Sequence, residues 1–189
     1  AQALIRESGC PLAAPSGNLS GKPSPTTAAC MAEDMDGRID AILDGGPCQV
    51  GVESTVITLA TNPPRLLRPG GITLEQLESV LGPVEVDPAV TQPLAEGVKV
   101  ASPGMKYKHY APKAHVIMVK GTFEAYCALV NSQKEPGVAA LCFDGEESFL
   151  QVPCISYGTR EDAASQAHEI FEALRQLDEI GAKTVYARA

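Results

Sequence analysis

The sequence predicts an α/β protein with a mostly parallel sheet in its second half. The first observation is an alternation of strand-like and helix-like segments between residues 114 and 187. The second is composition, since apolar residues make up 44% of the chain while aromatic residues make up 5% and Trp is absent. Burial must therefore come mainly from Ala, Val, Ile and Leu, which suits layered α/β packing. Strands that alternate with helices favour a doubly wound parallel sheet.

Helix start and stop signals organise the beginning of the chain. The opening residues are typical of the last turns of a helix that Gly9 closes as its C-cap. Residues 11–14 form a short apolar segment that predicts a strand. Ser24 as N-cap and Pro25 at the first helical position predict a helix that runs to about Met35.

Three further strands and a clearly marked helix are expected before residue 84. The strands are predicted at the apolar segments 39–43, 50–59 and 66–67. Thr73 followed three residues later by Gln76 is the pattern of a capping box, which predicts a helix start. Gly82 and Pro83 end that helix.

The second half predicts four strands and two amphipathic helices. The strands are expected at residues 115–119, 138–143, 154–157 and 184–187. Apolar residues at helical spacing mark one face of each helix: Phe123, Tyr126, Cys127 and Val130 in the first, and Ala163, Ala167, Ile170, Leu174 and Leu177 in the second. Both ends of the chain fall within predicted elements, so we expect it to be part of a longer protein.

Charge and cysteine pattern narrow the classes of function. The net charge is -8, so any contact with RNA or phosphate must come from a local basic cluster. No apolar run approaches the roughly 20 residues that cross a bilayer. The six cysteines lack metal-site spacing, which predicts reduced, mostly buried thiols in a cytoplasmic protein. Disulfides in a secreted protein are the alternative.

A polar loop at residues 16–26 is the first candidate site. Its hydroxyls, the Asn18 amide and the backbone N–H groups at Gly17 and Gly21 can donate to an anion beside a helix N-terminus. The loop is not a Walker loop, because it lacks both the earlier glycine and the Ser or Thr after Lys22. The alternative is a turn-rich surface loop that leads into a capped helix.

Three other segments could carry chemistry. Residues 50–56 place Glu, Ser and Thr among valines and could present hydroxyls to a cleft, or form an edge strand with one solvated face. Arg68 precedes Pro-Gly-Gly and could hold a phosphate bidentately, or form a surface salt bridge. Residues 105–110 form a dense basic and aromatic cluster that could cover an adenine, or remain a solvated linker.

Taken in order, these segments resemble one family, the two-domain threonylcarbamoyl-AMP synthases. The resemblance rests on segments that share its motifs: 15–21 (PSGNLSG), 24–26 (SPT), 51–56 (GVESTV), 67–73 (LRPGGIT) and 102–112 (SPGMKYKHYAP). It implies the C-terminal part of a YrdC-like α/β domain at residues 1–86 and a linker that crosses the active site at residues 87–113. A small Rossmann-like parallel α/β domain would occupy residues 114–189.

The resemblance also implies roles for seven residues. ATP would be contacted by Ser16, Asn18, Ser24, Arg68 and Tyr107, the last closing over the nucleotide from the linker. Threonine would be contacted by Ala14 and Ser54. No residue is assigned as a catalytic base and no metal ligand is named, although Mg²⁺ is expected with ATP. The family usually has Ala at the position of Gly17, and its basic Lys/Arg motif would lie upstream of Ala1.

The implied activity joins L-threonine, bicarbonate and ATP to give threonylcarbamoyl-AMP and pyrophosphate. The partners would be these substrates and the tRNA threonylcarbamoyl transferase machinery, in the cytoplasm and without a membrane, while direct tRNA binding stays open. One alternative is a YrdC-like carbamoyl transferase that matures hydrogenases. Another is a nucleotide-binding or RNA-binding module without turnover, for which a steep salt dependence of RNA affinity would be the sign.

Overall fold

The fold is known from a computed structural model that describes residues 1–19, 21–91 and 111–189. The chain separates into two compact units. One unit combines residues 1–51 with residues 111–189, and the other spans residues 52–110. Each unit is described by itself below. The predicted boundaries at residues 86 and 113 stay a prediction.

The larger unit is built on a parallel four-stranded sheet. Its strands are β4 (His115–Val119), β5 (Val138–Cys142), β6 (Cys154–Ser156) and β7 (Thr184–Arg188). They lie in the order β4-β7-β5-β6, and every neighbouring pair is parallel. The predicted parallel α/β architecture is therefore confirmed, with each strand within two residues of its expected position.

Two helices cover opposite faces of this sheet. They are α5 (Phe123–Asn131) and α6 (Ala163–Glu179). Tyr126 and Val130 of α5 pack on Ala140 and Cys142 of β5. On the other face the core consists of apolar residues from α6 and the strands: Ala139, Leu141, Ala173, Leu177, Val185 and Ala187. Right-handed crossovers that run in opposite directions along a sheet place their helices on opposite faces in this way.

The same unit contains two helices from the start of the chain. They are α1 (Gln2–Ser8) and α2 (Ala28–Met35). Gly9 closes α1 with a positive φ of 65°, as predicted. The predicted N-cap of α2 was wrong: Thr27 caps the helix, and its side chain accepts a hydrogen bond from the backbone N–H of Cys30. Ser24 and Pro25 lie before that point, in a segment without regular secondary structure.

The second unit contains a small three-stranded sheet and a well-capped helix. Its elements are β1 (Val56–Thr58), β2 (Arg65–Arg68), α3 (Leu74–Leu81), β3 (Glu85–Val86) and the short α4 (Pro88–Thr91). β2 pairs antiparallel with β1 and parallel with β3. The predicted capping box of Thr73 and Gln76 is present with both of its hydrogen bonds, and Gly82 is the C-cap.

Two predicted strands are not formed, and one is shorter than expected. Residues 11–14 and 39–43 are irregular and exposed, with Ile42 39% and Leu43 67% accessible to solvent. Of the strand expected over residues 50–59, only Val56–Thr58 pairs with a neighbour. A β-strand needs a hydrogen-bonded partner, and within the described part of the chain these segments have none.

The structure also tests the predictions about the cysteines and about membrane-spanning segments. All six cysteines are free thiols. Cys30 and Cys142 are buried, Cys127 and Cys154 are partly buried, and Cys10 and Cys48 are exposed. The prediction of mostly buried thiols was therefore wrong. Among the helices of the described residues, none is long and apolar enough to span a membrane.

Candidate functional site

Asn18 organises the polar loop in the larger unit. Its Nδ2 donates to the carbonyl oxygens of Leu19 at 3.1 Å and Lys22 at 3.0 Å. Its Oδ1 accepts from the Ser24 hydroxyl at 3.3 Å. These bonds hold together two of the residues predicted to contact ATP, although they are six positions apart in the chain. The Asn18 side chain therefore fixes the loop rather than projecting from it.

Ser16 and Ala14 lie further up the same segment, and both are exposed. Ser24 is partly buried beside the first turn of α2. A cavity of about 320 Å³ opens next to this turn, and its lining includes Gly17, Thr27 and Met31. The structure thus places a hydroxyl- and amide-bearing loop beside a helix N-terminus, an arrangement suited to an anionic ligand.

Gly17 brings the loop close to α2. A Cβ atom at this position would overlap Sδ and Cε of Met31, a flexible side chain on the facing helix. The alanine expected at this position from the resemblance would require Met31 to move, which a thioether side chain can do by changing rotamer. Gly17 and Met31 are therefore a matched pair in this chain.

Arg68 and Ser54 form the candidate site of the second unit. Arg68 ends β2, and its Nε and Nη2 donate to the carbonyl oxygen of Ser54 at 3.1 and 2.9 Å. Nη2 also lies 3.0 Å from the Ser54 hydroxyl. The structure therefore brings together a residue predicted to contact ATP and one predicted to contact threonine.

The glycines after Arg68 allow this contact. A Cβ on Gly70 would overlap the carbonyl oxygen of Glu53, so only glycine permits so close an approach of the two segments. The Gly71 N–H donates to the same oxygen at 3.3 Å. The hydroxyl of Thr55 donates to the Ile72 carbonyl at 2.7 Å and accepts from the Ile72 N–H at 3.0 Å. The two sequence motifs are thus one packed structural element.

Comparison with known families decides the identity of the fold. A family model described as "Threonylcarbamoyl-AMP synthase, C-terminal domain" matches residues 72–189. The chain belongs to the threonylcarbamoyl-AMP synthase family. A second family model, described as "Telomere recombination", matches residues 1–70. The resemblance inferred from the motifs is confirmed.

Curated relatives and a solved structure agree with this assignment. The chain is 47% identical to the threonylcarbamoyl-AMP synthase of Bacillus subtilis, over 95% of this chain and 52% of the relative. It is 42% identical to that of Pyrococcus abyssi, over 97% of this chain and 54% of the relative. The crystal structure of P. abyssi Sua5 complexed with L-threonine superposes with a TM-score of 0.85 and 42% identity, covering 98% of this chain and 54% of that one. The chain spans about half the length of the curated relatives it matches.

One charged cluster in this threonylcarbamoyl-AMP synthase chain was missed by sequence reasoning. Asp34 of α2 is completely buried at its side chain and pairs with Lys22 and Arg175. The hydrogen bond from Arg175 lowers the pKa of Asp34 to about 2, against the desolvation that would raise it. The sequence did contain a signal for a buried ion pair. Arg175 lies one turn after Phe171 among the buried residues of α6, and a cation buried there requires a partner.

The remaining predicted site residue is Tyr107, which lies outside the described residues together with the rest of the basic and aromatic cluster. Ser16, Asn18 and Ser24 belong to the larger unit, while Ser54 and Arg68 belong to the second unit. In the described ranges, no group of three or more His, Cys, Asp or Glu side chains could hold a metal ion. The roles assigned to individual residues stay predictions.

Proposed function

We propose that the full-length protein containing this chain is an L-threonylcarbamoyladenylate synthase, a nucleotidyltransferase. It makes threonylcarbamoyl-AMP and pyrophosphate from L-threonine, bicarbonate and ATP. The product would then pass to the transferase machinery that builds threonylcarbamoyladenosine in tRNA. We place the reaction in the cytoplasm.

The observation that carries this proposal is the contact between Arg68 and Ser54. Its support comes from chemistry: ATP and threonine carbamate must meet with reacting atoms about 3–3.5 Å apart. The Arg68 guanidinium, expected to bind ATP, lies 2.9–3.1 Å from the backbone and hydroxyl oxygens of Ser54, which is expected to bind threonine. The contact therefore holds the two expected binding residues next to each other. The similarity to P. abyssi Sua5 complexed with L-threonine, over 98% of this chain, supports the same substrate.

The proposed reaction has two steps. The threonine amine combines with bicarbonate to give an N-carboxylate and water. One carboxylate oxygen then attacks the α-phosphorus of ATP, and the bond to the β,γ-pyrophosphate breaks. The protein's part is to position the reactants and neutralise phosphate charge with groups such as the Arg68 guanidinium and the donors of the polar loop.

Mg²⁺ is proposed to enter the site together with ATP. The described residues offer no cluster of ligands for it. Mg²⁺ commonly enters such sites through substrate phosphates and keeps several waters, so a protein-built cage is not required.

The match of residues 72–189 to the synthase C-terminal domain disfavours the carbamoyl-transferase alternative. The test is pyrophosphate release by the full-length gene product, with threonine and bicarbonate each omitted in turn. We expect release only when both are present. Release that is indifferent to threonine would contradict the proposal and favour a carbamoyl transferase, while ATP binding without any release would favour a binding module.

A further inference from the structure

A buried ion cluster joins the polar loop, α2 and α6 within the larger unit. The Asp34 carboxylate accepts from Lys22 Nζ at 2.8 Å and from Arg175 Nη2 at 2.6 Å and Nη1 at 3.3 Å. The Arg175 side chain is 6% exposed and that of Asp34 is 0% exposed. The carboxylate thus bonds a residue of the polar loop and a residue 141 positions later in the chain.

Arg175 also hydrogen-bonds directly to the backbone of the loop. Its Nη2 donates to the carbonyl oxygen of Pro23 at 2.6 Å. The carbonyl oxygen one residue earlier, on Lys22, accepts from Asn18 at 3.0 Å. Two consecutive carbonyls are therefore hydrogen-bonded, one by Asn18 of the same loop and one by Arg175 of α6. Ser24 follows Pro23 directly and is the next residue that bonds Asn18.

Other contacts already hold α6 in place. The Cys30 thiol donates to Glu172 Oε2 at 3.1 Å. The Gly51 N–H donates to the Ala167 carbonyl at 3.0 Å, and a Cβ on Gly51 would overlap the His168 carbonyl oxygen. A buried ion pair is rarely the most stabilising way to fill an interface, since desolvation offsets its Coulomb energy. Its distinctive contribution is a fixed geometry, and here the geometry that it fixes is that of the loop.

We propose that Arg175 is a positioning residue for the ATP site: through Pro23 and Asp34 it fixes the segment that carries Asn18 and Ser24. The second half of the chain thereby shapes nucleotide binding without touching the nucleotide. This inference rests on the proposed function, in which that loop binds ATP. Threonine is expected at a different set of residues, so its binding should not depend on Arg175.

The test compares Arg175→Lys with a control of similar structural cost in the full-length protein. Lysine keeps the charge beside Asp34 but lacks the planar fork that reaches Asp34 and Pro23 together. Val185→Ala is the control, because Val185 is fully buried in the core on β7 and is absent from the loop's hydrogen bonds. ATP affinity is measured by calorimetric titration, and the KM values for ATP and threonine are measured by pyrophosphate release.

We expect Arg175→Lys to weaken ATP binding and raise the KM for ATP by about tenfold, a moderate effect for a displaced binding group. The KM for threonine should stay within about twofold, and Val185→Ala should change neither KM while lowering the melting temperature. Asp34→Asn replaces Arg175→Lys as the test variant if Arg175→Lys does not fold. It keeps the shape of the cluster and should also weaken ATP binding.

Wild-type ATP affinity in both Arg175→Lys and Asp34→Asn would overturn the positioning role. Equal increases in both KM values, matched by Val185→Ala, would also overturn it, since that is a general loss of structure. If the wild-type protein binds ATP but shows no threonine-dependent pyrophosphate release, the proposed function fails while the titration still decides the role of Arg175. An absence of ATP binding by the wild-type protein would overturn both.

Discussion

Arg175 and Arg68 are two arginines with similar bonds and different surroundings. Each donates from Nη2 to a backbone carbonyl, Arg175 to Pro23 at 2.6 Å and Arg68 to Ser54 at 2.9 Å. Arg175 is buried on α6 against the carboxylate of Asp34. Arg68 is partly exposed at the end of β2, and its guanidinium donates to the backbone carbonyl and lies near the hydroxyl of Ser54.

The difference in burial indicates different roles for the two arginines, a structural role for Arg175 and a ligand-binding role for Arg68. A buried guanidinium must be neutralised, so its loss leaves a buried carboxylate without one of its charged partners. A partly exposed guanidinium lies at the surface, where an anionic ligand can reach it. We therefore expect substitution of Arg175 to act first on stability, and substitution of Arg68 to act first on ligand affinity.

The largest expected effect is on stability, in Arg175→Ala. Removing the guanidinium leaves the buried Asp34 carboxylate with Lys22 but without its two bonds from Arg175, and we expect the free energy of unfolding to fall by about 3 kcal/mol. Urea unfolding followed by circular dichroism measures the change. Arg68→Ala is the comparison and should cost less than about 1 kcal/mol, as is usual for a partly exposed site. Equal losses in the two variants would remove the distinction between the arginines.

Stability should also fall when α6 is pushed away from the backbone at Gly51. A Cβ there would overlap the carbonyl oxygen of His168, which is backbone and cannot rotate away. We expect Gly51→Ala to cost about 1–3 kcal/mol, the range for overpacked positions. Gly45→Ala is the matched control, because a Cβ at Gly45 meets nothing within 4 Å. A Gly51→Ala protein as stable as the control would contradict the close packing of α6 on this segment.

The sequence predicts the second half of the molecule well because its elements are specified locally. Residues within a few positions of each other set the apolar faces of α5 and α6 and the buried run of β5. The same is true of the capping box at Thr73, the best-predicted feature of the first half. Periodicity and capping chemistry are properties of short windows, so they can be inferred without knowing the fold.

The first half was predicted less well because its structure depends on distant partners. Residues 39–43 have the composition of a strand, yet no strand in the described part of the chain pairs with them. The Asp34–Arg175 pair joins residues 141 positions apart, and neither residue has a local pattern that names the other. Composition alone located the polar loop. The hydrogen bonds that join Asn18 to Lys22 and Ser24 depend on how the loop folds, so the sequence alone could not show them.

The charge of Asp34 makes a pH-dependent contribution to the stability of the buried ion cluster with Lys22 and Arg175. Its pKa in the folded protein is lowered to about 2, chiefly by the hydrogen bond from Arg175. Because this lies below the unfolded value of about 3.9, the contribution of about 2 kcal/mol is complete above that pH. It is lost as the pH falls from about 4 towards the folded pKa.

Urea unfolding between pH 2 and pH 7 measures this contribution. Asp34→Asn should flatten the fall in stability below pH 4, whereas Asp40→Asn, at an exposed position near the end of α2, should keep it. A wild-type acid transition in the Asp34→Asn protein would show that the carboxylate is not held by Arg175 as described.

The most direct test of the account is a calorimetric titration of ATP into the full-length wild-type protein and its Arg68→Ala variant, with melting temperatures measured on the same samples. We expect the variant to bind ATP about tenfold more weakly, as for the loss of one charge-assisted contact, while its melting temperature changes by no more than a few degrees. Unchanged affinity, or a loss of affinity that accompanies unfolding of the variant, would contradict the assignment of Arg68 as a ligand-binding rather than a structural residue.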